Sequence, residues 1–344
     1  MKKIIFIMLK WTGIIFLVLL LFNIRLVIYG LEQLSGQMHI IRNAVPVELA
    51  LKDETLTDSL KQKLRLIEEI RTFAFDSLGL KRNSNYTTFY NQQGKPVLWN
   101  VTGCDPFRLK AYHWWFPLLG NVSYKGFFKK EKAEKEFYKL KSKGYDADLS
   151  PVSGWSTLGW FSDPVLSNML RRREGSLAEL IIHELTHGTI YLKSSVDLNE
   201  NLATFVGEQG AVLFLKSKYG ENSSQLIRYL SYKSDEETYG RHILSGALKL
   251  DSLYTLPAFQ SLPLKHKLRQ KYDLIAGVLL AVRDLPLHNK KAYLHDFLKE
   301  PLPGNTYFMS YLRYRKKQDV FSEKLMIEYN GSLQNFIKGM KEQE

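Results

Sequence analysis

His183 and His187 stand four residues apart in the run His183-Glu184-Leu185-Thr186-His187. On a helix this spacing turns the two side chains only about 40° from one another, so both imidazoles reach one ion. Glu184 follows the first histidine and leans over the open side of such a site. There it would take a proton from an activated water and hand it to a departing amine, which is the chemistry of a zinc peptidase. Zinc needs a third protein ligand and an open fourth position. Glu200 is the candidate, thirteen residues after His187 in Leu198-Asn199-Glu200-Asn201-Leu202. That gap holds the end of one helix, a turn and the start of an antiparallel neighbour, and Ala203 and Thr204 are small enough to let the two helices approach. Glu208, two turns further on the same face, is the alternative third ligand, or else a group that holds a substrate amine. A surface helix with two solvated histidines would carry the same spacing. Leu180, Ile181, Ile182, Leu185, Ile190 and Leu192 argue against it. A helix this apolar is buried, and buried imidazoles beside carboxylates are costly unless something satisfies them.

Two helices must hold these residues. Ser176 and Glu179 have the spacing of a capping box, opening a helix that runs to about Leu192. A loop over 193–198 leads to a second helix, capped by Asp197 with Glu200 and stopped by Gly220. Upstream, apolar spacing of three and four predicts a helix over 58–78, ended by Gly79, and a charged one over 131–141, ended by Gly144. Tyr86 to Tyr90 and Val97 to Val101 read as a hairpin around Gly94. Short strands are expected at 145–150 and 155–160, with the Trp114-Trp115-Phe116 run in the core. Downstream, helices are expected at 223–232, 236–253, 261–282, 288–298, 306–315 and 318–340. The fold class is therefore α+β. A mixed N-terminal half carries short strands, and a helical C-terminal half carries the HExxH helix and its antiparallel, glutamate-bearing partner.

The chain has 344 residues, 45% of them hydrophobic, enough for a sizeable core. Its net charge of +13 is spread rather than gathered into a tail. Without zinc-finger spacing or a glycine-rich phosphate loop, nucleic acid is not an expected partner. Cys104 is the single cysteine, so the chain cannot form an intrachain disulfide. At the N-terminus Lys2 and Lys3 precede an apolar run from Ile4 to Ile24, broken by Lys10 and ended by Arg25. No small-residue cleavage site follows. The expectation is a transmembrane anchor over 1–27, with the lipid bilayer as partner and the N-terminus in the cytoplasm. A peptidase domain over 28–344 would then lie outside the cytoplasm, mixed over about 28–163 and helical over about 164–344. Two further readings stand beside the peptidase: a non-catalytic, membrane-tethered binding protein with a structural metal, and an envelope assembly protein.

The stretches WFPLLGNVSYKGFF (115–128), STLGWFSDPVL (156–166), HELTHGTIY (183–191) and NENLATFVGEQGA (199–211) together resemble a bacterial aminopeptidase family within the gluzincin peptidases. GNTYFMSYLRY (304–314) resembles that family's C-terminal segment. The resemblance covers most of the chain beyond the apolar N-terminus. It implies one zinc ion held by His183, His187 and Glu200, with Glu184 as catalytic acid/base and a peptide or protein as substrate. Members are commonly attached to a membrane by a lipid, from which the apolar segment here departs. In gluzincins an edge strand aligns the substrate, a role for 155–161 unless that is an ordinary core strand. Asp163 is either a helix cap or a ligand for the substrate amine. Tyr314 is the expected transition-state stabiliser, with Tyr307 and Tyr311 as neighbours.

Overall fold

The computed structural model describes residues 23–117, 120–152, 162–192, 196–314 and 318–342, together with Phe6, Lys10 and Trp11. Helix α1 (Ile24–Asn43) lies against the protein. The Tyr29 hydroxyl and Gln33 Nε2 both donate to the Gly126 carbonyl, at 2.8 and 3.2 Å, and Lys132 pairs with Glu32. This corrects the expectation of a single-pass anchor with its catalytic domain outside the cytoplasm. Among the described residues no helix is long and apolar enough to cross a membrane. Helix α1 carries Arg25, Glu32 and Arg42, and it buries Gln37 and Ile40 against its own protein. The apolar run before it lies mostly outside the described residues.

The chain continues through β1 (Val45–Pro46), α2 (Val47–Lys52) and α3 (Asp58–Asp76). Thr57 caps α3 by accepting from the Leu60 amide, Leu64, Ile67, Ile70 and Ala74 form its buried face, and Gly79 leaves it at φ +74°. Next come β2 (Thr88–Tyr90), β3 (Leu98–Cys104), β4 (Trp114–Phe116), β5 (Gly120–Val122) and β6 (Tyr124–Phe127). Helix α4 (Lys130–Ser142), β7 (Asp146–Val152) and β8 (Val165–Leu166) complete the mixed half. The helical half holds α5 (Glu174–His187), α6 (Val196–Tyr219), α7 (Ser224–Thr255), α8 (Pro257–Gln260) and α9 (Leu264–Leu280). It ends with α10 (Asn305–Tyr314), α11 (Gln318–Tyr329) and α12 (Leu333–Lys341). This is the expected α+β class.

The strands form three small sheets, ordered β1-β2-β8, β6-β3-β7 and β4-β5. The expected hairpin does not form. Strand β2 pairs antiparallel with β1 and parallel with β8, whereas β3 lies between β6 and β7, antiparallel to both. Gln93 and Gly94 take positive φ, 52° and 77°, and the turn they make carries the chain from one sheet to another. Trp114 is buried but Trp115 is 62% exposed, so the aromatic run is only partly core. The expected helix over 288–298 is reduced to a 3-10 turn at Lys290–Ala292. The helices expected at 223–232 and 236–253 are one, α7, and the segment 318–340 breaks at Asn330 and Gly331, both at positive φ.

One apolar cluster joins α3, α5, α6, α11 and α12, including Ile67, Ile181, Phe205 and Phe336. A second joins α7, α9 and α10, and a third lies between the β3 sheet and α4. A buried polar clasp ties the second to the sheets. Lys271, with no exposed side-chain surface, pairs with Asp146 and donates to the Pro106 carbonyl at 3.0 Å. Asn305 donates its amide to Asp146 at 2.6 Å and its side chain to the Asp105 carbonyl at 2.9 Å. Tyr254 in turn donates to Asn305 at 2.8 Å. Gly304 is required here, because a Cβ would come within 2.8 Å of the Asp146 carboxylate.

Candidate metal centre

Helix α5 carries two stripes at helical spacing. Leu177, Ala178, Ile181, Ile182 and Leu185 are buried in the core. Glu179, His183 and His187 recur every fourth residue along another side. The helix opens at Glu174, after Arg173, with no side-chain cap. The expected capping box is absent, because Glu179 is engaged elsewhere: it accepts from the Tyr229 hydroxyl at 2.9 Å and from Lys233 at 3.1 Å. The helix ends at His187. Beyond it the Thr189 hydroxyl donates to the Leu185 carbonyl at 2.9 Å and accepts from the Lys81 amide at 3.0 Å.

Helix α6 returns antiparallel to α5. Glu200 stands beside His183 and His187, and Gly207, two turns on, stands beside His183 and Glu179. A Cβ on Gly207 would lie 2.8 Å from the Glu179 carbonyl and 3.1 Å from His183 Cβ, and one on Gly210 would lie 3.0 Å from Ile182. These two glycines therefore set the closest helix approach. Asn199 fixes where Glu200 begins, since its side chain both accepts from and donates to the Leu192 backbone, each at 2.8 Å. Neither the glycines nor Asn199 was singled out from the sequence.

His183 Nε2 and His187 Nε2 lie 3.2 Å apart, with their rings inclined at 81°. Glu200 places one oxygen 3.6 Å from His183 Nε2 and the other 3.5 Å from His187 Nε2. Metal–ligand bonds of about 2.0–2.1 Å in a tetrahedron put ligand atoms roughly 3.3 Å apart. All three separations are on that scale, so the residues fit one divalent ion and leave a corner open. The carboxylate side is also reachable, with Glu200 38% exposed against 7% for His187.

The electrostatics are those of a converging site. Burial lowers the His183 pKa, but the Glu200 hydrogen bond and the charges of Glu184, Glu200 and Glu179 outweigh it and raise the group above its ordinary value. Burial and the charge of His183 push His187 down to about 4. Burial pulls Glu200 up, yet the His183 hydrogen bond and both imidazoles bring it below the usual carboxylate value.

Glu208 does not join the triad. It pairs with Lys233 at 2.7 Å, and the same ammonium reaches Glu236 at 2.7 Å. Burial raises the Glu208 pKa despite that cation. Asp163 is 3% exposed and precedes β8 rather than a helix, which corrects the helix-cap reading. Tyr314 closes α10, but its side chain lies outside the described set, as does the whole of 155–161. The Tyr307 hydroxyl pairs with Tyr239 and lies 3.4 Å from that of Tyr311. His242 binds the Val278 carbonyl at 2.8 Å, and His288 binds Asp235 at 2.9 Å. A cavity of about 820 Å³ lies between α1 and the turn at 90–97, and none of the triad lines it.

A family model described as "putative aminopeptidase" matches residues 28–344. The chain matches no curated protein and no solved structure.

Proposed function

The chain belongs to that aminopeptidase family, and from this premise we propose that it is a zinc-dependent peptidase of the gluzincin kind, its peptidase domain the matched span 28–344. The observation that carries the reading is the convergence of His183 Nε2, His187 Nε2 and a Glu200 oxygen on one point. A zinc ion held there would polarise both the attacking water and the scissile carbonyl. Glu184, on the next position of α5, takes the proton from that water and returns it to the leaving amine. The nearby apolar core holds α5 rigid, so the carboxylate and the two imidazoles keep their relative places.

Preference for a free amino terminus is supported by the family description. Of the carboxylates considered for the amine, Glu208 is held by Lys233 and Asp163 is buried. A non-catalytic binding protein with a structural metal would have no use for Glu184 beside the ligands. The test is hydrolysis of short peptides with free and blocked amino termini. Glu184→Gln is expected to lower kcat by about a hundredfold or more while zinc content stays at one ion per chain. Full activity in that variant would end the mechanism. Equal cleavage of the blocked peptides would end the amino-terminal preference.

A further inference from the structure

The cavity of about 820 Å³ between α1 and the turn at 90–97 lies away from the metal centre and has the walls of a ligand site. Its volume is in the range of small-molecule pockets. Three cations line it, Lys95, Lys129 and Lys132, against one anion, Glu32. Lys132 is paired with Glu32, whereas Lys95 and Lys129 have no ion-pair partner among the described residues. The first turn of α4 stands at the same wall. It opens at Lys129 without a side-chain cap, so its leading amides are the unsatisfied donors of a helix start, a setting that favours an anion. Glu131, in that turn, is not a lining residue. The turn that carries Lys95 is held from both sides. Gln93 and Gly94 take positive φ, and the buried Gln92 accepts from the Asn168 amide at 2.9 Å and donates to the Lys95 carbonyl at 3.1 Å. The α1 wall is equally fixed, since a Cβ on Gly36 would lie 2.3 Å from the Phe128 ring. Gln37 adds an independent sign of a ligand. It is 6% exposed, and its Oε1 has no hydrogen-bond partner among the described residues. It lines a recess of about 10 Å³ that shares Ile40 and Val97 with the cavity. That is room for about one hydroxyl or water oxygen, and a buried acceptor left without a donor is costly.

We propose that this cavity binds a phosphorylated polyol, its phosphate held by Lys95, Lys129 and the first turn of α4, and one of its hydroxyls donating to Gln37. Lysines and a helix start suit phosphate, whereas carboxylate recognition favours the arginine fork, and among the described residues no arginine lines the cavity. A free sugar phosphate and the polyol headgroup of a phospholipid share this chemistry. The proposal does not rest on the peptidase reading.

The test is calorimetry on the full, zinc-loaded chain with glucose 6-phosphate as probe and glucose as its neutral control. The expected result is saturable binding of one probe per chain, with glucose at least about tenfold weaker. Lys95→Gln and Lys129→Gln are each expected to weaken the probe about tenfold. Both lysines are exposed, so the unfolding midpoint should stay that of wild type. Ser35→Trp keeps every lysine and fills the cavity from α1, where Ser35 is a lining residue; it should weaken the probe as much. Displacement of the probe by phosphatidylglycerol vesicles assigns the phosphate to a headgroup, and displacement by dissolved glycerol 3-phosphate alone assigns it to a free phosphomonoester; both support the site. Glucose bound as tightly as its phosphate would overturn the proposal. So would wild-type affinity in the double lysine variant, which would place the phosphate on the zinc or elsewhere, and so would wild-type affinity in Ser35→Trp.

Discussion

The Lys271 clasp and the His183 triad are both polar groups set among apolar helices, and they are built in opposite ways. In the clasp, one ammonium meets one carboxylate, and the surrounding amide, carbonyl and hydroxyl groups bond to the same few atoms. It closes on itself. In the triad, two imidazole nitrogens and a carboxylate point at one another across 3.2 to 3.6 Å. The helix approach at Gly207 holds them there. A closed cluster needs nothing more and serves the fold, whereas the convergent one has the spacing to hold an ion between its members. Tyr254 belongs to the closed one, donating to Asn305 within the clasp.

Breaking the clasp has the largest expected effect on stability. Lys271→Ala leaves the partly buried Asp146 carboxylate without its cation and is expected to cost about 3 kcal/mol by denaturant unfolding, while leaving zinc affinity unchanged in whatever folds. A variant as stable as wild type would mean that the clasp is not a structural joint. Gly207→Ala attacks the helix approach instead. Its methyl group would press on the Glu179 carbonyl and His183, so a loss of about 1–3 kcal/mol is expected. Zinc affinity should fall with it, since α6 must move and take Glu200 along. Unaltered affinity would show that the triad does not depend on this contact. Tyr254→Phe is the smallest of the three. It leaves Asn305 short of a donor and should cost about 1–2 kcal/mol. A midpoint equal to that of wild type would mean that this hydrogen bond adds nothing to the clasp.

Much of the site was legible because it is local. The His183–Glu184–His187 spacing needs only a helix to bring the imidazoles together, and the gap to Glu200 suits a helical hairpin. What escaped notice depends on partners distant in sequence. Gly207 and Gly210 read as ordinary helical positions until α5 is laid against them. Glu179 reads as a cap until Lys233 and Tyr229 claim its oxygens. The hairpin expectation failed because β2 takes its second partner from Val165–Leu166, far along the chain, and Gln93 and Gly94 turn the chain away from its sheet. The anchor expectation weighed the apolar run and not the docking of Tyr29 and Gln33 on Gly126.

Metal binding tests the contrast between closed and convergent clusters most directly. Zinc should titrate the metal-free chain to one ion, and His183→Ala, His187→Ala and Glu200→Ala should each weaken that binding at least a hundredfold by calorimetry while the unfolding midpoint of the metal-free protein stays within a few degrees of wild type. Zinc bound as tightly by Glu200→Ala as by wild type would contradict the account, because the third side of the site would then lie elsewhere.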